Sequence, residues 1–522
     1  MKRNSHGWWT IGFPLLAFLT VAVAQAAEAV VEAATSLPEL RQQLDAHVNQ
    51  PRFAGALWGV KVASVDSGQT VFEHQPIRLM SPASNSKLYT GALALDRFGG
   101  DFRIVTPILA TAKPDAAGRI AGDLIVSGRG DPSWKAKPRG GDFWRTFDPF
   151  IAVLKQAGVR HIAGAVVGDA TFFHSPAYGA GWVVEDLTDD YGAELSALTL
   201  EENFIDVRVT PAAIAGQPCQ VEVLYPLSGL VFLNRTVTAP EGTARSLHSW
   251  RAPGGNIVYL FGEMPVGGAE HLLDVTIPQP ERWFAATLRE ALIRAGITVG
   301  GEARIVRWPE ASPVPQGAVK LGELTSPPLR DMVAAFMKPS QNLETDLIFA
   351  QVGEAVRPAD APLWRTTEPL AVGALRDFLS RSGLPADEVR FDEGSGLSRN
   401  NLTSANATVA LLRFMAAHRE AKAFAESLPI AGVDGSLRRR MKATAAEGNV
   451  LAKTGTLRWA SSLSGYVTTA AGERLAFSAM LNRSVTPTGR FAREDVDAIA
   501  VMLAGFRGRI DVGGVNLEAR KP

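Results

Sequence analysis

Three short stretches of this 522-residue chain carry side chains whose types and spacing could do chemistry. They are Ser84-Asn85-Ser86-Lys87, Ser340-Gln341-Asn342 and Lys453-Thr454-Gly455, in that order. A serine hydroxyl is a poor nucleophile until a neighbouring base takes its proton. Residues three apart on a helix share a face, so Lys87 can reach the Ser84 hydroxyl. Such a lysine must be neutral, a state that burial and nearby cations favour. Ser340 is then suited to relay a proton to a leaving amine, and Asn342 to hold a substrate amide and the lysine. Lys453 offers a cation to a substrate carboxylate, to which Thr454 and Thr456 add hydroxyls. Gly455 lets a peptide approach the backbone closely. The set points to acyl transfer through a serine, with no cofactor and no metal.

Taken singly the motifs are weak. About one S-x-x-K arises by chance in a chain of this composition, and an ordinary helix cap produces the same letters. Their joint order carries the signal. Rival chemistries find little: none of the eight histidines forms an H-x-x-x-H or H-E-x-x-H pair, which argues against a zinc hydrolase. No G-x-S-x-G elbow occurs, which argues against a Ser-His-Asp hydrolase. Arg129-Gly130-Asp131, followed by Pro132, reads as a turn. Arg438-Arg439-Arg440 with Lys442 reads as a solvated charged face.

The elements that must position these groups follow from local pattern. Pro82 before and Gly99-Gly100 after bracket a helix over Ser84 to Phe98, whose N-terminus aims backbone N–H groups at developing negative charge. Ala54 to Ser64 and Thr70 to Phe72, joined through Asp66-Ser67-Gly68, read as an antiparallel hairpin. From Asp101 to about Leu321 short apolar runs, among them Ile120 to Val126, alternate with Gly, Pro and Asp turns. This predicts a β-rich region ending in one helix near Trp283 to Ala295. Helices are then expected over Leu329 to Phe336, Asn342 to Val352, Leu370 to Ser382 and Ala405 to Ala417. Strands follow at Ser464 to Thr468 and Arg474 to Asn482, and a last helix at Arg493 to Phe506. Residues 27–100 and 322–522 thus read as one α+β domain, with 101–321 inserted as a β-rich domain or domains.

Residues 1–26 read as a secretory signal peptide: Lys2 and Arg3, an apolar run from Ile11 to Val23, then the small-x-small site Ala24-Gln25-Ala26. That run is shorter than the roughly 20 residues a spanning helix needs, and no second long apolar stretch follows. No stable membrane anchor is therefore expected after signal removal. Lysines plus arginines number 53 and so do aspartates plus glutamates, so no nucleic-acid partner is advertised. Cys219 stands alone, which excludes an internal disulfide and suggests a buried thiol.

With Pro82-Ala83-Ser84 ahead of Lys87, and with the other two motifs, the chain resembles the D-alanyl-D-alanine carboxypeptidase/endopeptidase family of low-molecular-mass penicillin-binding proteins (class C type, peptidase S13). Further family-like stretches are Ser127 to Pro132, Tyr191 to Asn203, Gly394 to Arg399, Leu428 to Leu437 and Ala452 to Tyr466. The resemblance implies a transpeptidase/β-lactamase-like domain, a five-stranded antiparallel sheet with helices on both faces, carrying a large insertion between S-x-x-K and S-x-N. It implies a periplasmic enzyme that cuts peptidoglycan stem peptides through an acyl-enzyme and is acylated by β-lactams. The oxyanion hole is then the backbone N–H groups of Ser84 and Thr456. Gln341 departs from the commoner aspartate, and Thr345-Asp346 from Ala-Glu. Two rivals remain: a β-lactamase, for which Glu201-Glu202-Asn203 falls in the wrong order, and a non-catalytic cell-wall binding protein.

Overall fold

The computed structural model describes residues 32–137, 141–485 and 490–510. The expected signal peptide and the polar tail after Ile510 lie outside these residues.

Strands from both ends of the chain build one antiparallel sheet. Its order is Leu451–Leu457, Ala460–Thr468, Arg474–Asn482, Leu57–Ser64, Thr70–His74. The middle strand, RLAFSAMLN, is buried at every position after Arg474. Such a run has no polar face because helices cover both sides of the sheet. On one side the helices Leu37–Val48 and Ala492–Gly505 enclose a core that includes Leu40, Leu44, Val62, Phe477 and Leu503. On the other, Ser86–Phe98, Leu329–Met337, Asn342–Ala355, Thr367–Arg381 and Ala405–Ala416 pack around Leu88, Phe336, Phe349, Phe378 and Met415. This is the α+β arrangement expected. The strand bearing Lys453 lies at the edge of the sheet.

The intervening segment forms a second five-stranded sheet, ordered Ala303–Arg307, Val166–Ala170, Leu124–Ser127, Val105–Ala110, Val319–Thr325, and three small three-stranded sheets. Local pattern misjudged several details here. The run Ile120 to Val126 is two strands, Arg119–Ile120 and Leu124–Ser127, parted at Gly122, where a Cβ would lie 2.0 Å from Thr111 Oγ1. A helix not expected from the sequence, Asp148–Gln156, buries Phe150 and Leu154 one turn apart. The expected later helix spans Pro280–Arg294. The strand Val319–Thr325 runs past position 321 and pairs with Val105–Ala110. An aromatic core of Trp134, Phe147, Phe150, Trp283 and Phe284 joins helices to sheet. Asp131 is buried and accepts from the Ser133 N–H at 2.9 Å, closing the expected turn. Cys219 is a buried free thiol.

Candidate active site

Ser84 does not start the α-helix. It sits in a 3-10 turn, Ala83–Asn85, and the α-helix begins at Ser86. Ala83 has φ +48°, a conformation that costs a non-glycine residue energy and kinks the chain just before the serine. Two glycines press on this kink. A Cβ on Gly396 would lie 2.0 Å from Ala83 O, and one on Gly455 would lie 2.4 Å from Pro82 O and 2.2 Å from Ser462 Oγ. Gly455 therefore serves the packing of the strand against the serine loop, whereas the sequence suggested only room for a peptide.

Lys87 is wholly buried beneath the half-buried Ser84. Its Nζ lies 3.0 Å from Ser84 Oγ, 2.6 Å from Asn342 Oδ1 and 2.7 Å from Ser395 O. Two of these neighbours are carbonyl oxygens that can only accept. A neutral amine has two N–H groups for them and one lone pair left, which faces the serine hydroxyl. Burial pushes Lys87 toward that neutral form, lowering its pKa to about 8 against the opposing pull of Asp346 and Glu393, so that the neutral fraction grows as pH rises through that value. Asp346 is held well above the usual carboxylate range by burial and by Glu393, against the pull of Lys87. Its Oδ1 accepts from the N–H groups of Gly394 and Ser395 at 3.0 and 2.9 Å, and so fixes the carbonyl that Lys87 touches.

Asn342 opens the helix Asn342–Ala355, and its Nδ2 donates to Tyr191 O at 2.9 Å. The amide thus bridges Lys87 to the intervening segment, with one of the two N–H groups of Nδ2 given to Tyr191 O. Ser340 stands in the turn between two helices with φ +74°, and Lys453 Nζ donates to its Oγ at 2.8 Å and to Thr454 O at 2.8 Å. Burial, then Lys87 and Arg440, hold Lys453 well below the usual lysine pKa. Thr454 Oγ1 lies 2.8 Å from Ser436 Oγ, and Thr456 is exposed.

The replacement at position 341 has a local cause. Gln341 caps its helix by accepting from Glu344 N–H at 3.0 Å and donates through Nε2 to Glu202 Oε2 at 2.7 Å. An aspartate there would bring a second carboxylate toward Glu202, where the glutamine supplies a donor. Glu202 also accepts from Lys135 Nζ at 2.6 Å.

Ser84, Ser340, Asn342 and Thr456 line one open cleft of about 690 Å³, together with Tyr191, Asp186, Arg399 and Arg458. Lys87 lies behind this lining against Ser84, and Lys453, Thr454 and Gly455 are outside it, Lys453 meeting it through its bond to Ser340. Tyr191, Asp346, Glu393 and Ser395 were not singled out as site residues from the sequence. Their spacing to the motifs carries no local signal, although Asp346 was visible as a departure from the resembled pattern.

The helix-covered antiparallel sheet that carries this serine-lysine pair is similar in fold to penicillin-binding protein 4 from Haemophilus influenzae. Its crystal structure superposes with TM-score 0.72 at 25% identity, covering 89% of this chain and 97% of that one. A second structure of that protein, in complex with a β-lactam, gives TM-score 0.67 at 24% identity, covering 89% of this chain and 97% of that one. The profile of the D-Ala-D-Ala carboxypeptidase 3 (S13) family matches residues 40–504, and the chain belongs to that family of serine peptidases. A D-alanyl-D-alanine carboxypeptidase from an Actinomadura species is 34% identical over 484 residues, 90% of this chain and 86% of its own. The D-alanyl-D-alanine carboxypeptidase DacB of Haemophilus influenzae is 26% identical over 459 residues, 86% of this chain and 90% of its own. No helix among the described residues is long and apolar enough to cross a membrane.

Proposed function

We propose that this carboxypeptidase cuts D-alanyl-D-alanine linkages of peptidoglycan stem peptides, at free termini or at cross-links, through an acyl-enzyme on Ser84. The observation that carries the reading is the contact of Ser84 Oγ with the buried Nζ of Lys87 at 3.0 Å, where burial favours the neutral amine. Ser84 Oγ attacks the carbonyl carbon and its proton passes to Lys87. The N–H groups of Ser84 and Thr456 hold the oxyanion. The leaving amine takes a proton by way of Ser340, and the carboxylate of the leaving residue lies against Lys453, Thr454 and Thr456. Water then releases the acyl group and restores the serine. β-Lactams enter the same first step and stay attached, since Glu201-Glu202-Asn203 precedes the second motif, the wrong order for the deacylating glutamate of class A β-lactamases. The signal-like N-terminus supports export to the periplasm, and the order of strands in the two large sheets supports reading 101–321, with the rest of the strand to Thr325, as an insertion.

The test is incubation of wild type and Ser84→Ala with a fluorescent penicillin, alongside D-alanine release from a stem pentapeptide. Stable label and D-alanine release on wild type alone support the reading. Equal label on Ser84→Ala overturns it, rapid turnover of nitrocefin makes the protein a β-lactamase, and no reaction at all makes it a binding protein.

A further inference from the structure

The sequence reading took Arg438-Arg439-Arg440 for a solvated face; the structure makes it a wall. These arginines and Arg493 line a second open cleft of about 710 Å³, with Pro339 and Ser436 at one end. Arg440 is committed to Asp497 through two bonds of 2.9 and 2.6 Å. Arg438, Arg439 and Arg493 are exposed and form no ion pair with a carboxylate among the described residues, although Arg493 is near enough to Asp497 to pull its pKa down against the larger rise from burial; the Arg493 guanidinium lies 4.2 Å from the centre of the Phe491 ring. With Glu494 as the one further acid of the lining, the cleft keeps a net positive charge.

This cleft adjoins the first. Pro339 lines it, and the next residue, Ser340, lines the cleft that holds Ser84. Ser436 lines it too and is hydrogen-bonded to Thr454 at 2.8 Å. The two clefts are therefore neighbours across the Pro339–Ser340 peptide and the Ser436–Thr454 bond, while Thr456, Leu457 and Arg458 line the first one only. In the reading given above, the acyl part of the substrate lies along the Thr456 end and the leaving residue's carboxylate at Lys453 and Thr454. Whatever extends beyond the leaving residue must enter the arginine cleft.

We propose that this cleft is a subsite for the leaving half of a cross-linked pair of stem peptides, held through its carboxylates by Arg438, Arg439 and Arg493. The inference rests on the assignment of Ser84 and Lys453 and names the substrate class of that site. A free D-alanine is too small to extend past Thr454, whereas the leaving half of a cross-link is a peptide bearing further carboxylates. Guanidinium groups suit them as paired donors of fixed charge. Because they are exposed, their pull is screened by salt.

Arg438→Ala/Arg439→Ala is compared with wild type on a stem pentapeptide, on a cross-linked stem-peptide dimer and in labelling by penicillin. Among the described residues neither side chain makes a hydrogen bond or ion pair that the substitution would remove. We expect penicillin labelling and pentapeptide cleavage within twofold of wild type, and dimer cleavage down by about tenfold in kcat/KM, mostly through KM. The wild-type advantage on the dimer shrinks in high salt. In the Ser84→Ala background, the dimer with free carboxylates binds more tightly than its amidated form. Equal losses on pentapeptide and dimer, no loss on either, or equal binding of acid and amide overturn the subsite while leaving the serine site standing. A wild type that labels with penicillin but spares the dimer does the same. A wild type that neither labels nor cleaves overturns the reading of the serine site itself.

Discussion

Replacing Lys87 by methionine separates a chemical role from a structural one, because the two predict opposite pairings of activity and stability. Burial lowers the lysine from 10.5 to about 8, so at pH 7 its charge costs the folded state about 3 kcal/mol. Methionine fills much the same volume without the charge and recovers that cost. It also strips Asn342 Oδ1 and Ser395 O of their donor, at about 1–3 kcal/mol each. The terms largely cancel, so the unfolding free energy should stay within about 2 kcal/mol of wild type. Acylation by a β-lactam loses its base and should fall about a hundred- to ten-thousandfold. The pH dependence adds a signature. In the wild type the folded state binds fewer protons than the unfolded chain between about pH 8 and 10.5, so stability rises with pH over that window. The base is neutral above its pKa, so acylation also rises through about pH 8. In Lys87→Met the rise of acylation vanishes, and the slope of stability shrinks to the part that buried Lys453 keeps. Stopped-flow acylation and urea melts at several pH values read both quantities. An activity loss no larger than the loss of folded protein, or a wild-type acylation rate flat from pH 6 to 9, would refute the reasoning.

Lys453→Ala should lower second-order acylation by about ten- to a hundredfold through lost recognition of the carboxylate, with Ser84 still labelled slowly; a loss as large as that of Lys87→Met means the roles are misassigned. Gln341→Glu keeps the helix cap but sets a carboxylate against Glu202, so a cost of about 1–3 kcal/mol in urea melts and slower acylation are expected, both restored by adding Glu202→Gln. Gly455→Ala forces a methyl toward Pro82 O and Ser462 Oγ; a loss of about 1–3 kcal/mol with slower acylation is expected, and a variant with unaltered acylation shows that the kink before Ser84 does not depend on that contact. Glu201 is raised to about 7, chiefly by burial, so its neutral form is favoured on folding and it makes stability fall as pH rises from about 4.5 to 7; Glu201→Gln makes that fall shallower in melts across this range and leaves the shares of Asp274 and Glu344.

Much of this protein is written in local sequence. Pro82 and Gly99-Gly100 bracket a helix because their backbone constraints act within a few residues, and the observed helix closes at Phe98. Arg474 to Asn482 reads as a strand for a similar reason: nine residues rich in apolar side chains suit a buried strand. The three-residue step from Ser84 to Lys87 holds both on one face whatever the rest of the chain does. The surroundings that set their chemistry come from folding. Lys87 is an ordinary cation until Leu88, Tyr89 and their neighbours pack against the sheet and take it out of water. Its acceptors Asn342 and Ser395 arrive from hundreds of residues away. Ser340 meets Lys453 only because strands from both chain ends pair into one sheet and place that edge beside the turn. The kink at Ala83 is set by Gly396 and Gly455, neither of them near it in sequence. The arginine run is the plainest case. Its letters are those of a solvated face, and only the helix carrying Arg493 and Asp497, laid beside it, makes a cationic cleft next to the one that holds Ser84. Short-range backbone constraints are carried by neighbouring residues, but burial and charge environment belong to whatever the fold brings near, and no local window contains that.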